Sequence, residues 1–282
     1  LEKTHTFSVR NLAVRFWSIL FALAAIFSVG IYLYAPFHPD WWLPHNVSTR
    51  GPLSFGAEVD HLFVIILVIT GLVFIGTQIA LVYVTWKYGA KQGKRASYQH
   101  GSQRLEVIWT IIPAAILVFI ALYQMGTWTK IKFRSAQPKV KPIAEVTARQ
   151  FQWKIKYPGA DGKLNTPDDI HLVNDFHFVK NTPTVIHLKS EDVLHSFFLP
   201  NMRVKQDAVP GLTIPVWFDS DTSGTFDLVC TELCGWGHYK MRGVVTVHET
   251  QKDFDEWLQR TALEQSRDQL AASPVAPTSG GE

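Results

Sequence analysis

The chain has 282 residues, is 47% hydrophobic, carries a formal net charge of +3 and holds only two cysteines. That length allows one or two domains. The charge is too small to point to nucleic acid, and one cysteine pair cannot build a disulfide framework. No Gly-rich phosphate loop, Ser/His/Asp pattern, CxxCH haem-attachment motif or internal repeat occurs in the sequence.

In chain order, three apolar runs come first: FWSILFALAAIFSVGIYLYA (16–35), LFVIILVITGLVFIGTQIALVYVTW (62–86) and VIWTIIPAAILVFIALYQMGT (107–127). Each is near the roughly 20 residues a helix needs to span a bilayer, and none carries a charge inside. A buried helix in a water-soluble protein keeps a polar stripe; the second run has none. Lys3, Arg10 and Arg15 before the first run also fit a signal peptide. The length of that run and Pro36 after it favour a retained helix. The segment KYGAKQGKRASYQHGSQR (87–104) holds Lys87, Lys91, Lys94, Arg95 and Arg104 and no acid. The positive-inside rule makes it cytoplasmic. Everything after the third run then lies outside. Trp41, Trp42, Trp86, Trp109 and Trp128 sit near the run ends, as interface aromatics do.

After about Phe133 the pattern changes to short β-branched and aromatic runs: 146–157, 182–190, 193–200, 213–220, 224–230 and 243–249. PGADG, NTPDD, VPG and DTSG punctuate them. This spacing predicts a β-sandwich or Greek-key barrel over 136–250. Residues 253–270 read as an amphipathic closing helix, and 273–282 as a flexible tail.

The chemistry concentrates in CTELCGWGHYKM (230–241), which holds both cysteines, His238 and Met241 between two predicted strands. A disulfide or a structural zinc site are simple readings of such a stretch. The thioether favours copper, since zinc sites use Cys, His and carboxylate. The doubled thiolate suggests two bridged metals. A second histidine would be needed, and His195 in VLHSFF is the candidate.

At these residues the sequence resembles subunit II of the haem–copper cytochrome c oxidases. The resemblance is carried by CTELCGWGHYKM, EDVLHSFFLPNMRVKQDAVPG, ARQFQW and RLEVIWTIIPA, and covers roughly residues 60–250. It implies a membrane helical hairpin followed by an all-β, cupredoxin-like Greek-key domain with a binuclear CuA centre. By position, Cys230 and Cys234 would bridge two coppers, and His195 and His238 would each bind one. Met241 and the Glu232 carbonyl would be weak ligands, and the Glu232 side chain would reach a magnesium or manganese ion shared with subunit I. The implied role is electron transfer from cytochrome c, or a haem-containing partner complex, to haem in subunit I, with subunit III as a further partner. This chain itself would hold no haem.

Glu106 would stand near the entrance of a proton-uptake channel. Phe151 replaces the family's usual tryptophan in ARQFQW, so Phe151, Trp153 and Trp236 are candidates for receiving electrons. Asp192 and Asp207 are candidates for an acidic docking face. His171, His177, His187 and His248 are read as ordinary surface or core residues. The extra N-terminal run departs from the family's usual two spans. The implied place is a bacterial plasma membrane, crossed more than once, with the copper domain on the periplasmic face. The CuA subunit of a nitric oxide reductase and a stand-alone copper-delivery protein are the alternatives.

Overall fold

A computed structural model describes residues 2–38, 42–50, 54–88, 97–98 and 100–272. Trp41, the cations Lys91, Lys94 and Arg95, and the tail from residue 273 lie outside the described residues. The chain forms two compact units: Leu1–Pro44 with Asp60–Gly126, and His45–Val59 with Thr127–Glu282.

Three long helices carry the apolar runs: α1 (Glu2–Tyr34), α2 (Gly56–Lys87) and α3 (Gln103–Lys132). All three are long and apolar enough to cross a membrane. Their apolar side chains are turned outward, among them Leu72, Ile79, Leu117 and Leu122. So large an exposed apolar surface calls for hydrocarbon rather than water around it. The helices run beyond the apolar runs, because backbone hydrogen bonding continues into residues such as Glu58 and Lys130. Within the first unit, Tyr32 Oη donates to Leu67 O at 2.7 Å. Gly71 lies beneath that phenol, and a Cβ there would sit 2.2 Å from Tyr32 Oη.

The second unit is a β-sandwich. Its strands are β1 (Ala144–Arg149), β2 (Gln152–Tyr157), β3 (Ile170–Val173), β4 (Asp175–Val179), β5 (Thr184–Ser190), β6 (His195–Leu199), β7 (Val204–Ala208), β8 (Ile214–Phe218), β9 (Gly224–Cys230) and β10 (Arg242–His248). One sheet has the order β3-β2-β1-β5-β8 and the other β4-β10-β9-β6-β7. Pairing is antiparallel except for β1 with β5 and β4 with β10. The inner faces supply an apolar core that includes Val146, Ile155, Ile186 and Leu188 from one sheet and Leu199, Leu228 and Val245 from the other. Phe218 joins the two faces, with its ring 5.3 to 5.9 Å from Phe178 and Phe176. Such aromatic pairs add about 0.5–1.5 kcal/mol beyond their buried area.

Two details differ from the sequence reading. The run 146–157 is a hairpin, turning at Gln150 and Phe151. Strands β3, β4 and β7 were not among the predicted runs. Asn174, left-handed at φ 59°, separates β3 from β4 and breaks the alternation. Its side chain accepts from the Trp153 N–H at 2.7 Å. Strand β7 (VKQDA) is a sheet edge and carries polar residues that a central strand would not.

Helix α4 (Gln251–Ala272) packs on the sandwich through Phe254 and Trp257, whose rings meet Tyr157. Residues 45–59 are stitched to it as well. Val47 N–H donates to Asn201 O at 2.9 Å, and Ser48 Oγ to Asp219 Oδ1 at 2.5 Å. The Phe55 ring packs edge-on against Trp217.

Candidate metal centre

Three neighbouring strands deliver the site. Strand β9 ends at Cys230 and β10 begins just after Met241, so 231–241 is the loop between two paired strands. Cys230 N–H donates to Met241 O at 3.2 Å and closes the loop at its base. Strand β6 lies beside β9, with Phe197 opposite Cys230, which brings His195 alongside the cysteines.

The donor atoms converge. Cys230 Sγ and Cys234 Sγ are 3.9 Å apart, and both cysteines are free. His195 Nδ1 lies 3.9 Å from Cys230 Sγ, and His238 Nδ1 lies 3.5 Å from Cys234 Sγ. Met241 Sδ is 3.8 Å from Cys234 Sγ, and Glu232 O is 3.3 Å from Cys230 Sγ. His195, Cys230, Cys234 and Met241 are buried, and His238 is half-buried.

This donor set fits a metal better than it fits a disulfide. A disulfide needs its sulfurs about 2.05 Å apart. With metal–sulfur bonds of about 2.3 Å, sulfurs 3.9 Å apart leave room for a metal between them. Two thiolates, two imidazoles and a thioether are soft and borderline donors, suited to copper or zinc. Burial, and then the neighbouring Cys230, push the Cys234 thiol up to about 11. A cation between the sulfurs reverses that, because it stabilises the thiolates.

The surrounding residues fix the donors. Asp192 Oδ1 is 2.8 Å from His195 Nε2, so Nδ1 is left facing the sulfurs. Carboxylates behind metal-binding histidines set ring orientation and tautomer in this way. Burial opposes the Asp192 charge. Hydrogen bonds from the Gln150 N–H, His195 and the Val193 N–H outweigh it and hold the carboxyl below its ordinary range. Gln150 Nε2 donates to Cys234 O at 2.5 Å. The Phe151 ring covers the loop backbone so closely that a Cβ on Gly237 would lie 2.4 Å from it. Gly235 has φ +133°, in the region that favours glycine.

Residues 54–126 match the family pattern described as cytochrome C oxidase subunit II, transmembrane domain, and residues 147–248 match the periplasmic domain of the same subunit. The alternative cytochrome c oxidase subunit 2 of Bradyrhizobium diazoefficiens is 30% identical over 257 residues, 83% of this chain and 89% of that protein. The chain belongs to the cytochrome c oxidase subunit II family. The subunit 2 of Cereibacter sphaeroides is 29% identical, over 69% of this chain and 73% of that protein. The solved periplasmic domain of subunit II of cytochrome oxidase from Bradyrhizobium japonicum is similar at 27% identity, over 45% of this chain and 97% of that one, with a TM-score of 0.40.

In this subunit II the six residues predicted as ligands all meet at one place, with Glu232 contributing its carbonyl while its side chain is exposed. Phe151 lies half-buried over the loop. Trp236 is 81% exposed, with Lys240 Nζ 5.4 Å from its ring centre. Trp153 is fully buried, its ring 6.3 Å from that of His195. Glu106 stands in the first turn of α3, in the other compact unit. Asp192, read from sequence as docking acid, has its carboxylate turned onto His195, and Asp207 accepts from Ser196 Oγ at 2.7 Å. Sequence reasoning missed Asp192, Gln150 and Gly237 as supports of the site. The DVLH spacing was the available signal for the first; nothing local marked the other two.

Proposed function

We propose that this chain is the electron-transfer subunit of a terminal cytochrome c oxidase. His195, Cys230, Cys234, His238, Met241 and the Glu232 carbonyl would hold two copper ions as a CuA centre. The observation that carries this is the paired geometry: two cysteines 3.9 Å apart, each with its own histidine nitrogen within 3.9 Å. When bound, a copper pair would supply one-electron redox chemistry, and ligands anchored on paired strands would move little as its charge changes.

The protein's own residues set the conditions. The β9–β10 pair and Asp192 hold the ligands in place in either charge state. Burial of both cysteines keeps water from the thiolates. Phe151 and Trp236 offer surface beside the loop where a donor can approach. Trp153, with no exposed surface, is suited to a role beneath the site instead. The donor is cytochrome c or a haem domain of a partner complex, and the acceptor is haem in subunit I, where oxygen is reduced. The Glu232 side chain, which is exposed, would share magnesium or manganese with subunit I. Subunit III completes the expected assembly.

Within residues 1–135 the membrane region would exclude 45–59 and 127–135, which group with the β unit; 136–250 would serve as the copper domain, and 251–282 as the closing helix and tail. The chain would cross a bacterial plasma membrane several times, with the copper domain on the periplasmic face. Glu106 would stand at a proton-uptake entrance. The test uses the assembled oxidase. Cys234→Ser is expected to lose copper and turnover together, whereas Glu106→Ala keeps copper and slows proton uptake. Full turnover in the first variant would refute the electron-transfer reading, and unchanged uptake in the second would refute the role of Glu106.

A further inference from the structure

The metal loop is held from the opposite sheet as well as from its own. The hairpin turn of β1 and β2, at Gln150 and Phe151, meets the loop that joins β9 and β10. Gln150 uses two donors there. Its backbone N–H donates to Asp192 Oδ2 at 2.8 Å, and its side-chain Nε2 donates to Cys234 O at 2.5 Å. Asp192 holds His195 Nε2 through its other oxygen, at 2.8 Å. Gly235 lies beneath the amide: a Cβ at that position would sit 2.6 Å from Gln150 Nε2. The turn is itself fixed, since the Glu191 N–H donates to Ala148 O at 3.0 Å and ties the stretch before Asp192 to β1.

The donors fall into two halves. Cys230 stands with His195 Nδ1 at 3.9 Å and Glu232 O at 3.3 Å. Cys234 stands with His238 Nδ1 at 3.5 Å and Met241 Sδ at 3.8 Å. The first half is oriented through Asp192, and the second through the Cys234 carbonyl. Gln150 is bonded to both supports. Within the loop tip the backbone bonds are local: His238 N–H to Gly235 O, Lys240 N–H to Gly237 O and Met241 N–H to His238 O, each 3.1 Å. The Gln150 amide adds a bond from 84 positions away in the chain. Groups that share one hydrogen-bond network do not respond independently.

We infer that Gln150 is a positioning residue that couples the two halves of the metal centre, so that ordering one half orders the other and two ions load together. Separate supports would leave each half to order alone. The coupling runs through this chain's own bonds and is present before a metal binds; only the paired loading rests on the proposed function.

The experiment uses the purified full chain at neutral pH. Gln150→Met and Gln150→Glu keep the length of the side chain and remove its donor; Asp192→Ala removes both carboxylate oxygens. Hydrogen exchange of the metal-free chains comes first. The amides of His238, Lys240 and Met241 report the order of the tip, and unchanged protection of α4 shows that the fold is intact. Asp192→Ala is expected to lower protection of the tip about five-fold or more, although the hydrogen bonds of Asp192 go to Gln150, Val193 and His195. Copper titration follows. Each single variant is expected to bind about 10–100-fold more weakly. The double variant Gln150→Met/Asp192→Ala is expected to fall at least about five-fold short of the product of the two losses. Electron paramagnetic resonance during the titration is expected to show a one-copper species in Gln150→Met and none in the parent. Tip protection unchanged in Asp192→Ala, or losses that multiply in the double variant, would overturn the coupling. A parent chain that binds a single copper would refute the proposed function instead, and the exchange result would still decide the coupling.

Discussion

Asp192 decides which nitrogen of His195 faces the sulfurs. Its carboxylate holds Nε2 at 2.8 Å, and the N–H groups of Gln150 and Val193 hold the carboxylate. Asp192→Asn keeps the size and removes the charge. Loss of such a supporting carboxylate typically weakens metal binding about 10–100-fold. We expect that loss in a copper titration, with the metal-free chain still folding cooperatively. Copper affinity equal to that of the parent chain would show that the contact does not position the ring. The ligands themselves were legible in sequence because sulfur is scarce here, and all three side-chain donor types, thiol, imidazole and thioether, fall within CTELCGWGHYKM. Asp192 was read as surface acid because sequence does not report which way a carboxylate turns. Gly237 carried no signal at all, since the ring it must clear, Phe151, is distant in the chain.

At the scale of elements, α4 is held to the sandwich by an aromatic and histidine cluster. The Trp257 ring stacks on His177 at 3.6 Å and 8°. His177 Nδ1 and His248 Nε2 are 2.9 Å apart, so only one of the facing nitrogens can carry a hydrogen. Asp175 holds the other side of His177 at 2.9 Å. Burial, then the charge His177 would carry, depress the His248 pKa below its ordinary value, with Asp253 and Asp175 opposing and Arg260 adding to the shift. The folded state therefore resists protonation of His248 more than the unfolded chain does. Its contribution is complete above the unfolded value of about 6.5 and is lost as pH falls through the lower folded value. We expect the protection factors of α4 amides, taken relative to the intrinsic exchange rate at each pH, to fall between about pH 7 and pH 5, and His248→Phe to flatten that dependence. Protection that is constant across the range would contradict it. The helix was legible from its periodicity. The latch was not, because His177 and His248 lie 71 positions apart. Strands β3, β4 and β7 escaped for a related reason: their polar residues make sense only once Asn174 and the sheet edge are in place.

For the whole molecule, the sequence divides most clearly where the solvent changes. Helices apolar on every side need hydrocarbon, and alternating runs with turn punctuation need a sandwich core, so both classes could be read directly. Residues 45–59 looked like a loop between two spans, yet they belong to the β unit. Ser48 reaches Asp219 across 171 positions, and Thr49 and Arg50 N–H groups bind Asp221. The sandwich thus grips the chain both before α2 and after α3, and no local pattern announces that. On the proposed function, this frame holds a binuclear copper centre. That function is tested most directly by the electron paramagnetic resonance spectrum of the purified full chain after copper loading. Hyperfine structure from one unpaired electron shared equally by two copper nuclei is the predicted result. A pattern from a single copper nucleus, or zinc with no copper signal, would contradict it.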